Sequence, residues 1–342
     1  APKGYEDKVF HVETDDEGKD WVVVGDRRIE ADVFAFAAAG GLPADEREAA
    51  HRGELRYSDM RSGGWDAEMR MADMTADDID LSVLYPTFLL SFQSQHPLDV
   101  VVAQCQAYND WLTEHVQDSN GRLHGVGVQV RPNPAVDWKP FMDPVYDPIW
   151  RAASEHNLPV GLHPLMSADL PGAVQGLRLH RMKTSEIPVQ EDADINVDNI
   201  FFSQMIGNPV DMMAAMTFFL AGGVCQRFPE LKVVFLETNG GWVVPWLERM
   251  DHHFHMYGFD VPWLDKDPSE YFRRQCWISF DADESTIPFT ATSPYVGADR
   301  LVWPTDYPHP DSKIPGITKE LADTIATLPE DQQQLIAGAN CR

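Results

Sequence analysis

Four apolar runs in this chain end on side chains able to bind a metal or move a proton. They are residues 159–163 (PVGLH), 232–237 (KVVFLE), 300–306 (RLVWPTD) and 276–281 (CWISFD), so the reactive ends are His163, Glu237, Asp306 and Asp281, the last followed by Asp283 and Glu284. In a parallel barrel such groups gather because all strand C-termini share one face. An imidazole with carboxylates at that face suits a divalent transition metal such as Zn2+, which takes nitrogen and oxygen ligands and polarises a carbonyl or acidifies bound water. Each residue also has a plainer reading. His163, between Leu162 and Pro164, fits a hydrogen-bonded structural histidine, and Asp306, before Tyr-Pro-His, fits a turn cap. Glu237 closes a run that reads as buried, where a structural ion pair competes with catalysis. His252, His253 and His255 form the densest histidine cluster, but successive helical positions point apart, so a solvated or interface face is the stronger reading. The acidic stretch at 186–198 lacks the spacing of a calcium loop and reads as a solvated loop. Trp65, Trp111, Trp150 and Trp242 read as core or pocket wall.

Bringing strand ends to one face takes parallel strands joined by helices, and the chain has that rhythm. Six strands are predicted, at 79–85, 123–130, 159–163, 232–237, 276–281 and 300–306. Between them, 100–117 carries Val101, Cys105, Tyr108, Trp111 and Leu112 on one helical face, and 147–157 opens with Asp147-Pro148, an N-cap acceptor and a residue that needs no N–H. Thr238-Asn239-Gly240-Gly241 leads into a further helix at 242–257. The fold class is therefore α/β with a parallel sheet. Residues 1–60 depart from the rhythm with a hairpin turning near Asp16-Glu17-Gly18 and an Ala/Gly/acid-rich excursion; residues 164–208 read as a long insertion where functional loops gather. The domain reading is an N-terminal hairpin and excursion over 1–64 packed on a barrel over 65–342. The Met-rich run 211–221 reads as a buried barrel helix before an interface.

With 342 residues the chain suits one such barrel or two smaller domains. Its 27 Lys and Arg against 54 Asp and Glu leave a net charge of −27, a field that repels phosphate backbones and anionic lipid. No nucleic-acid or membrane partner is expected. The hydrophobic share of 44% with 10 Trp excludes a chain disordered by charge. Cys105, Cys225, Cys276 and Cys341 form neither a metal motif nor a disulfide framework, so a cytoplasmic setting is expected. No apolar run reaches a membrane span, and the opening Ala-Pro-Lys-Gly-Tyr-Glu-Asp lacks the regions of a signal peptide.

Segments 300–312 (RLVWPTDYPHPDS), 147–164 (DPIWRAASEHNLPVGLHP), 108–112 (YNDWL) and 228–251 (FPELKVVFLETNGGWVVPWLERMD) resemble the amidohydrolase-2 branch of the amidohydrolase superfamily. That branch looks like aminocarboxymuconate-semialdehyde decarboxylase and includes aromatic-acid decarboxylases and C–C hydrolases; the resemblance runs from about Trp65 to the C-terminus. It implies a distorted, metal-dependent (β/α)8 barrel and a homodimer, with His163 as a metal ligand and Asp306 binding the metal and handling the proton of its water. Arg61, Trp242 and His309 are candidates to bind substrate; Arg56, Arg61 and Arg70 all lie near the second β/α unit, where one can pair a carboxylate, although surface placement is the default for each. Many relatives carry His-Gly-Gly after the fifth strand. Here Glu237-Thr238-Asn239-Gly240-Gly241-Trp242 stands instead, and a Glu there can orient water, act as a base or ligate metal. The family also opens with a strand ending in His-x-His or Glu-x-His, for which Phe10-His11-Val12-Glu13 is a poor substitute because it aligns with the hairpin that follows. The expectation is a chain lacking that first strand and the end of its last helix, with further ligands upstream of Ala1.

The leading functional expectation is a metal-dependent hydrolase of a small aromatic or unsaturated carboxylate, with zinc first and manganese or iron as alternatives, and with Asp306 and Glu237 as catalytic groups. A metal-dependent carboxy-lyase is the alternative. A metal-free barrel with a binding or structural role is the third, because His163 and Asp306 alone make an incomplete zinc site.

Overall fold

Asp15 closes the turn of the N-terminal hairpin. Its Oδ1 accepts the N–H groups of Glu17 at 3.0 Å and Lys19 at 2.9 Å, Gly18 takes φ +78°, and the Trp21 indole donates to Oδ2 at 2.8 Å. This turn joins β1 (His11–Thr14) to β2 (Asp20–Val24), antiparallel with Thr14 opposite Asp20. A third strand, β3 (Arg27–Glu30), pairs with β2, so the expected hairpin is a three-stranded sheet. The computed structural model describes residues 2–24, 27–87, 97–132, 139–164, 201 and 203–341. They divide into two units: Ala1–Gly125 with Thr305–Lys319, and Val126–Pro304 with Glu320–Arg342.

The first unit continues with α1 (Ala44–His51) and α2 (Ala67–Ala76), the latter begun by Asp66, whose carboxylate accepts the Met69 N–H at 3.0 Å. Two parallel strands, β4 (Ser82–Leu84) and β5 (Leu123–Gly125), flank α3 (Leu98–Gln117). Arg122 ties this sheet to the end of α2, donating to the Ile79 carbonyl at 2.6 Å and to Thr75 Oγ1 at 2.9 Å. The buried residues of α3 are Val100, Ala103, Gln104 and Leu112; of the face expected from the sequence only Leu112 is among them, while Cys105 is exposed and Trp111 is 42% exposed. Trp65 is 37% exposed, with its ring against Tyr57.

The single strand predicted at 123–130 is two. Gly125 ends β5, and β6 (Val128–Val130) starts the sheet of the second unit with β7 (Val160–Leu162), β8 (Val233–Phe235), β9 (Cys276–Ser279) and β10 (Leu301–Val302). The spatial order is β10-β9-β8-β7-β6, all parallel, so each strand lies beside its predecessor as in a barrel wall. Parallel neighbours need crossover connections. Helix α4 (Asp147–Glu155) joins β6 to β7, α5 (Asn208–Leu220) joins β7 to β8, α6 (Val243–Tyr257) and α7 (Pro268–Gln275) join β8 to β9, and α8 (Ile287–Thr292) joins β9 to β10. The strand residues Val160, Leu162, Val233, Phe235, Ile278 and Leu301 are fully buried, which is why these runs show no alternation.

Phe219 joins Trp150 at 5.0 Å and Phe235 at 6.3 Å in an aromatic cluster that seats α4 and α5 on the sheet. Met212, Ala215, Met216, Phe219 and Leu220 of α5 are all buried within the unit, so this side of the Met-rich run is core. On α6, His255 meets Asp267 at 2.8 Å at the surface and the His253 ring donates to the Arg249 carbonyl, as a solvated face does. Most of the insertion expected at 164–208, including the acidic stretch 186–198, lies outside the described residues.

Candidate active site

In the second unit the parallel ladder runs past the strand ends and fixes the first pair of candidates. The His163 N–H donates to Val130 O at 3.0 Å, the Leu236 N–H to Leu162 O at 2.9 Å, and the Glu237 N–H to Ser279 Oγ at 3.0 Å. His163 is buried, and its Nδ1 lies 2.7 Å from the Pro164 carbonyl. A carbonyl only accepts, so Nδ1 carries the hydrogen. Nε2 then aims its lone pair at Glu237 Oε2, 3.0 Å away. Two acceptors at that distance need a cation between them, either a proton or a metal ion. An imidazole anchored by one ring N–H to a backbone carbonyl, with its other nitrogen converging on a carboxylate, is the arrangement of metal-binding histidines. His163 and Glu237 thus fit a divalent transition metal by donor type and by geometry.

The turn after Glu237 is built to hold it. Glu284 accepts the N–H groups of Gly240 at 2.9 Å and Gly241 at 2.6 Å and the Thr286 hydroxyl at 2.8 Å. Asn239 donates to Asp281 Oδ2 at 2.7 Å, and the Trp242 indole donates to the Thr238 carbonyl at 2.8 Å before α6 begins. Asp281 and Glu284, which close the fourth run, therefore serve the turn. Glu237 itself has φ +53°, a left-handed conformation that costs a non-glycine residue about 1–3 kcal/mol and persists where the surroundings over-determine it.

The first unit holds the second pair. Asp306 is also left-handed, at φ +51°, and its Oδ1 lies 3.1 Å from His309 Nδ1, while His309 Nε2 lies 3.3 Å from Thr87 Oγ1. The His309 N–H donates to the Asp306 carbonyl at 2.7 Å, a backbone turn bond open to any residue at 306. Burial of its carboxyl, then the hydrogen bond and charge of Asp306, push Asp311 up to about 7, with His309 opposing. Because Asp311 as a whole residue is exposed, the proton it shares with Asp306 is the firmer of these causes. Asp311 and Thr87 are participants that sequence reasoning did not single out; Asp311 alone of the two had a signal, standing in the quoted RLVWPTDYPHPDS segment. Arg61 is paired with Asp73, Arg56 is exposed, and buried Arg70 stacks 5.0 Å from the centre of the Tyr307 ring.

The family model described as "Amidohydrolase" matches residues 120–342, more than half of the chain. The 2-amino-3-carboxymuconate-6-semialdehyde decarboxylase of Dictyostelium discoideum is 23% identical over 314 residues, covering 83% of this chain and 77% of that protein. An amidohydrolase from Mycobacterium avium subsp. paratuberculosis K-10 superposes with a TM-score of 0.73 at 19% identity, covering 99% of this chain and 92% of its own. The 5-carboxyvanillate decarboxylase of Novosphingobium aromaticivorans DSM 12444, complexed with manganese and 4-hydroxy-3-methoxy-5-nitrobenzoic acid, has a TM-score of 0.59 at 19% identity, covering 80% and 78%. The fold class is that of these α/β barrel proteins. Among the described residues no helix is long and apolar enough to cross a membrane.

Proposed function

The chain belongs to the amidohydrolase family, and from that premise we propose that it is a metal-dependent carboxy-lyase, removing CO2 from a small aromatic or unsaturated carboxylate. The observation that carries the reading is the His163–Glu237 pair, with Nδ1 tied to a carbonyl and Nε2 converging on a carboxylate at 3.0 Å. Decarboxylation stands ahead of the hydrolysis expected from the sequence because the curated relative and the solved aromatic-acid enzyme are both decarboxylases. His163 and Glu237 are the residues of the second unit that would hold a metal; in the first unit, Asp306 is assigned as a metal ligand by the family resemblance alone. When bound, a divalent metal supplies Lewis acidity to the oxygens of a substrate carboxylate.

The remaining chemistry falls to the chain. Loss of CO2 leaves an electron pair on the carbon, which must then receive a proton. Asp311 and His309, both beside Asp306, are groups of the chain able to hold and deliver a proton. Trp242, fixed by its indole to Thr238, offers an apolar wall for a ring. Hydrolysis is retained as a second reading on one observation: Glu237, a carboxylate able to act as a base, occupies the turn where many relatives carry a histidine.

Incubation with aryl carboxylates in the presence of Mn2+ or Zn2+ tests the proposal. Manganese is tried first because the Novosphingobium enzyme holds it. Release of CO2 without incorporation of labelled water oxygen supports the lyase; incorporation of that label into product without CO2 establishes the hydrolase. Failure of the chain to bind either metal, or unchanged binding after both His163→Ala and Asp306→Asn, removes the metal reading.

A further inference from the structure

The segment after Asp306 is held more firmly than a turn requires. The Tyr307 hydroxyl donates to Asp73 Oδ2 at 2.6 Å, and the other oxygen of Asp73 accepts from Arg61. The Tyr307 carbonyl accepts from Arg70 Nη2 at 3.3 Å, and the same guanidinium lies over the Tyr307 ring. The Gly40 N–H donates to Pro308 O at 2.8 Å, and Arg47 Nη1 donates to Pro310 O at 2.9 Å. Burial, then the bond to Asp73, holds the phenol well above its ordinary pKa, so it stays a donor. Two glycines make room for the clamp. A Cβ on Gly63 would strike the Tyr307 hydroxyl and the Asp73 carboxylate, and one on Gly40 would strike the backbone of residues 308 and 309.

All these groups belong to one unit, and they converge on the residue next to a strained one. A left-handed aspartate relaxes unless its neighbours are fixed. Tyr307 is fixed at its hydroxyl, its ring and its carbonyl. We propose that Asp73 is a positioning residue that, through Tyr307, holds Asp306 in its left-handed conformation and aims its carboxylate. The inference rests on the reading above, in which Asp306 binds metal.

The experiment is an Mn2+ titration of the full chain, following free Mn2+ by electron paramagnetic resonance, with thermal melting alongside. Tyr307→Phe removes one oxygen and Asp73→Asn removes the charge at nearly constant shape. Both variants are expected to melt cooperatively and to bind Mn2+ about 10- to 100-fold more weakly, the range for groups that orient a metal ligand. Gly63→Ala is expected to weaken binding similarly, and adding Tyr307→Phe to it to weaken binding little further, because both act on one contact. If Asp306→Asn loses Mn2+ while Tyr307→Phe and Asp73→Asn keep the parent affinity, the positioning role is wrong and the metal reading stands. If Asp306→Asn binds as the parent does, both fall. Should Asp73→Asn fail to fold, Tyr307→Phe decides alone.

Discussion

Glu237 and Asp311 show how two carboxyl groups take different roles from their neighbours. Glu237 faces the lone pair of His163, so its negative charge is what makes the gap between them a cation site. Glu237→Gln keeps the shape and removes the charge; kcat is expected to fall at least about 100-fold, and an unchanged kcat would take Glu237 out of the chemistry. Asp311 is raised to about 7, whereas an unfolded Asp titrates near 3.9. Between those values the unfolded chain gives up the proton that the folded chain retains, so this group's stabilisation is complete below about pH 4, declines as pH rises, and levels off above about 7. In the metal-free protein, the melting temperature of Asp311→Asn relative to the parent should therefore rise from pH 4 to 7 and then hold; a difference independent of pH would show that Asp311 titrates normally. The strand-end residues were legible because an apolar run that stops on a charged side chain is visible in one dimension. Their partners were not, since Thr87 lies 222 residues from His309 and Glu284 lies 44 from Gly240.

At the scale of elements, what was legible followed from burial. Fully buried parallel strands read as unbroken apolar runs, and five of the six predicted strands sit where single strands occur. The sixth, 123–130, contains a division at Gly125-Val126-Gly127 that its apolar pattern conceals, because Val126 continues the run. β3 was missed for the opposite reason: three of its four residues, RRIE, are charged. The face of α3 was misjudged because two interleaved apolar stripes fit one helix, and only packing selects between them. The turn from Glu237 to Trp242 has the sharpest consequence at this scale. Its two glycine N–H groups end on one carboxylate, and a Cβ on Gly241 would strike Thr286 and Glu284. Glu284→Ala is expected to destabilise the protein by about 1–3 kcal/mol, the cost of leaving such donors without their charged acceptor, and to weaken Mn2+ binding through the misplaced Glu237. Glu284→Gln, which keeps one acceptor oxygen, should fall between. Parent-like melting and metal affinity in Glu284→Ala would mean that water replaces the carboxylate and that the turn needs no such clamp.

At the scale of the whole molecule the charge of −27 acts on any anionic substrate before contact. Several of the visible arginines are already matched by acids: Arg61 with Asp73, Arg52 with Glu54, Arg227 with Asp147 and Arg273 with Asp299. They add little net positive field. At about 10 mM ionic strength the Debye length is about 30 Å, so the summed field reaches well into solution; at about 0.15 M it shrinks to about 8 Å. An aryl carboxylate should therefore meet the protein more often as salt is added, opposite to enzymes that steer anions with basic surfaces. With metal saturating at every point, kcat/KM for a carboxylate substrate is expected to rise by roughly several-fold between 10 and 150 mM NaCl, because the field alters encounter rates, while kcat stays constant. A fall would show that a local cationic field at the site, supplied by the bound metal or by buried Arg70, outweighs the acidic surface. The sign of that dependence thus reports whether the substrate's carboxylate is recognised against the global charge or with its help.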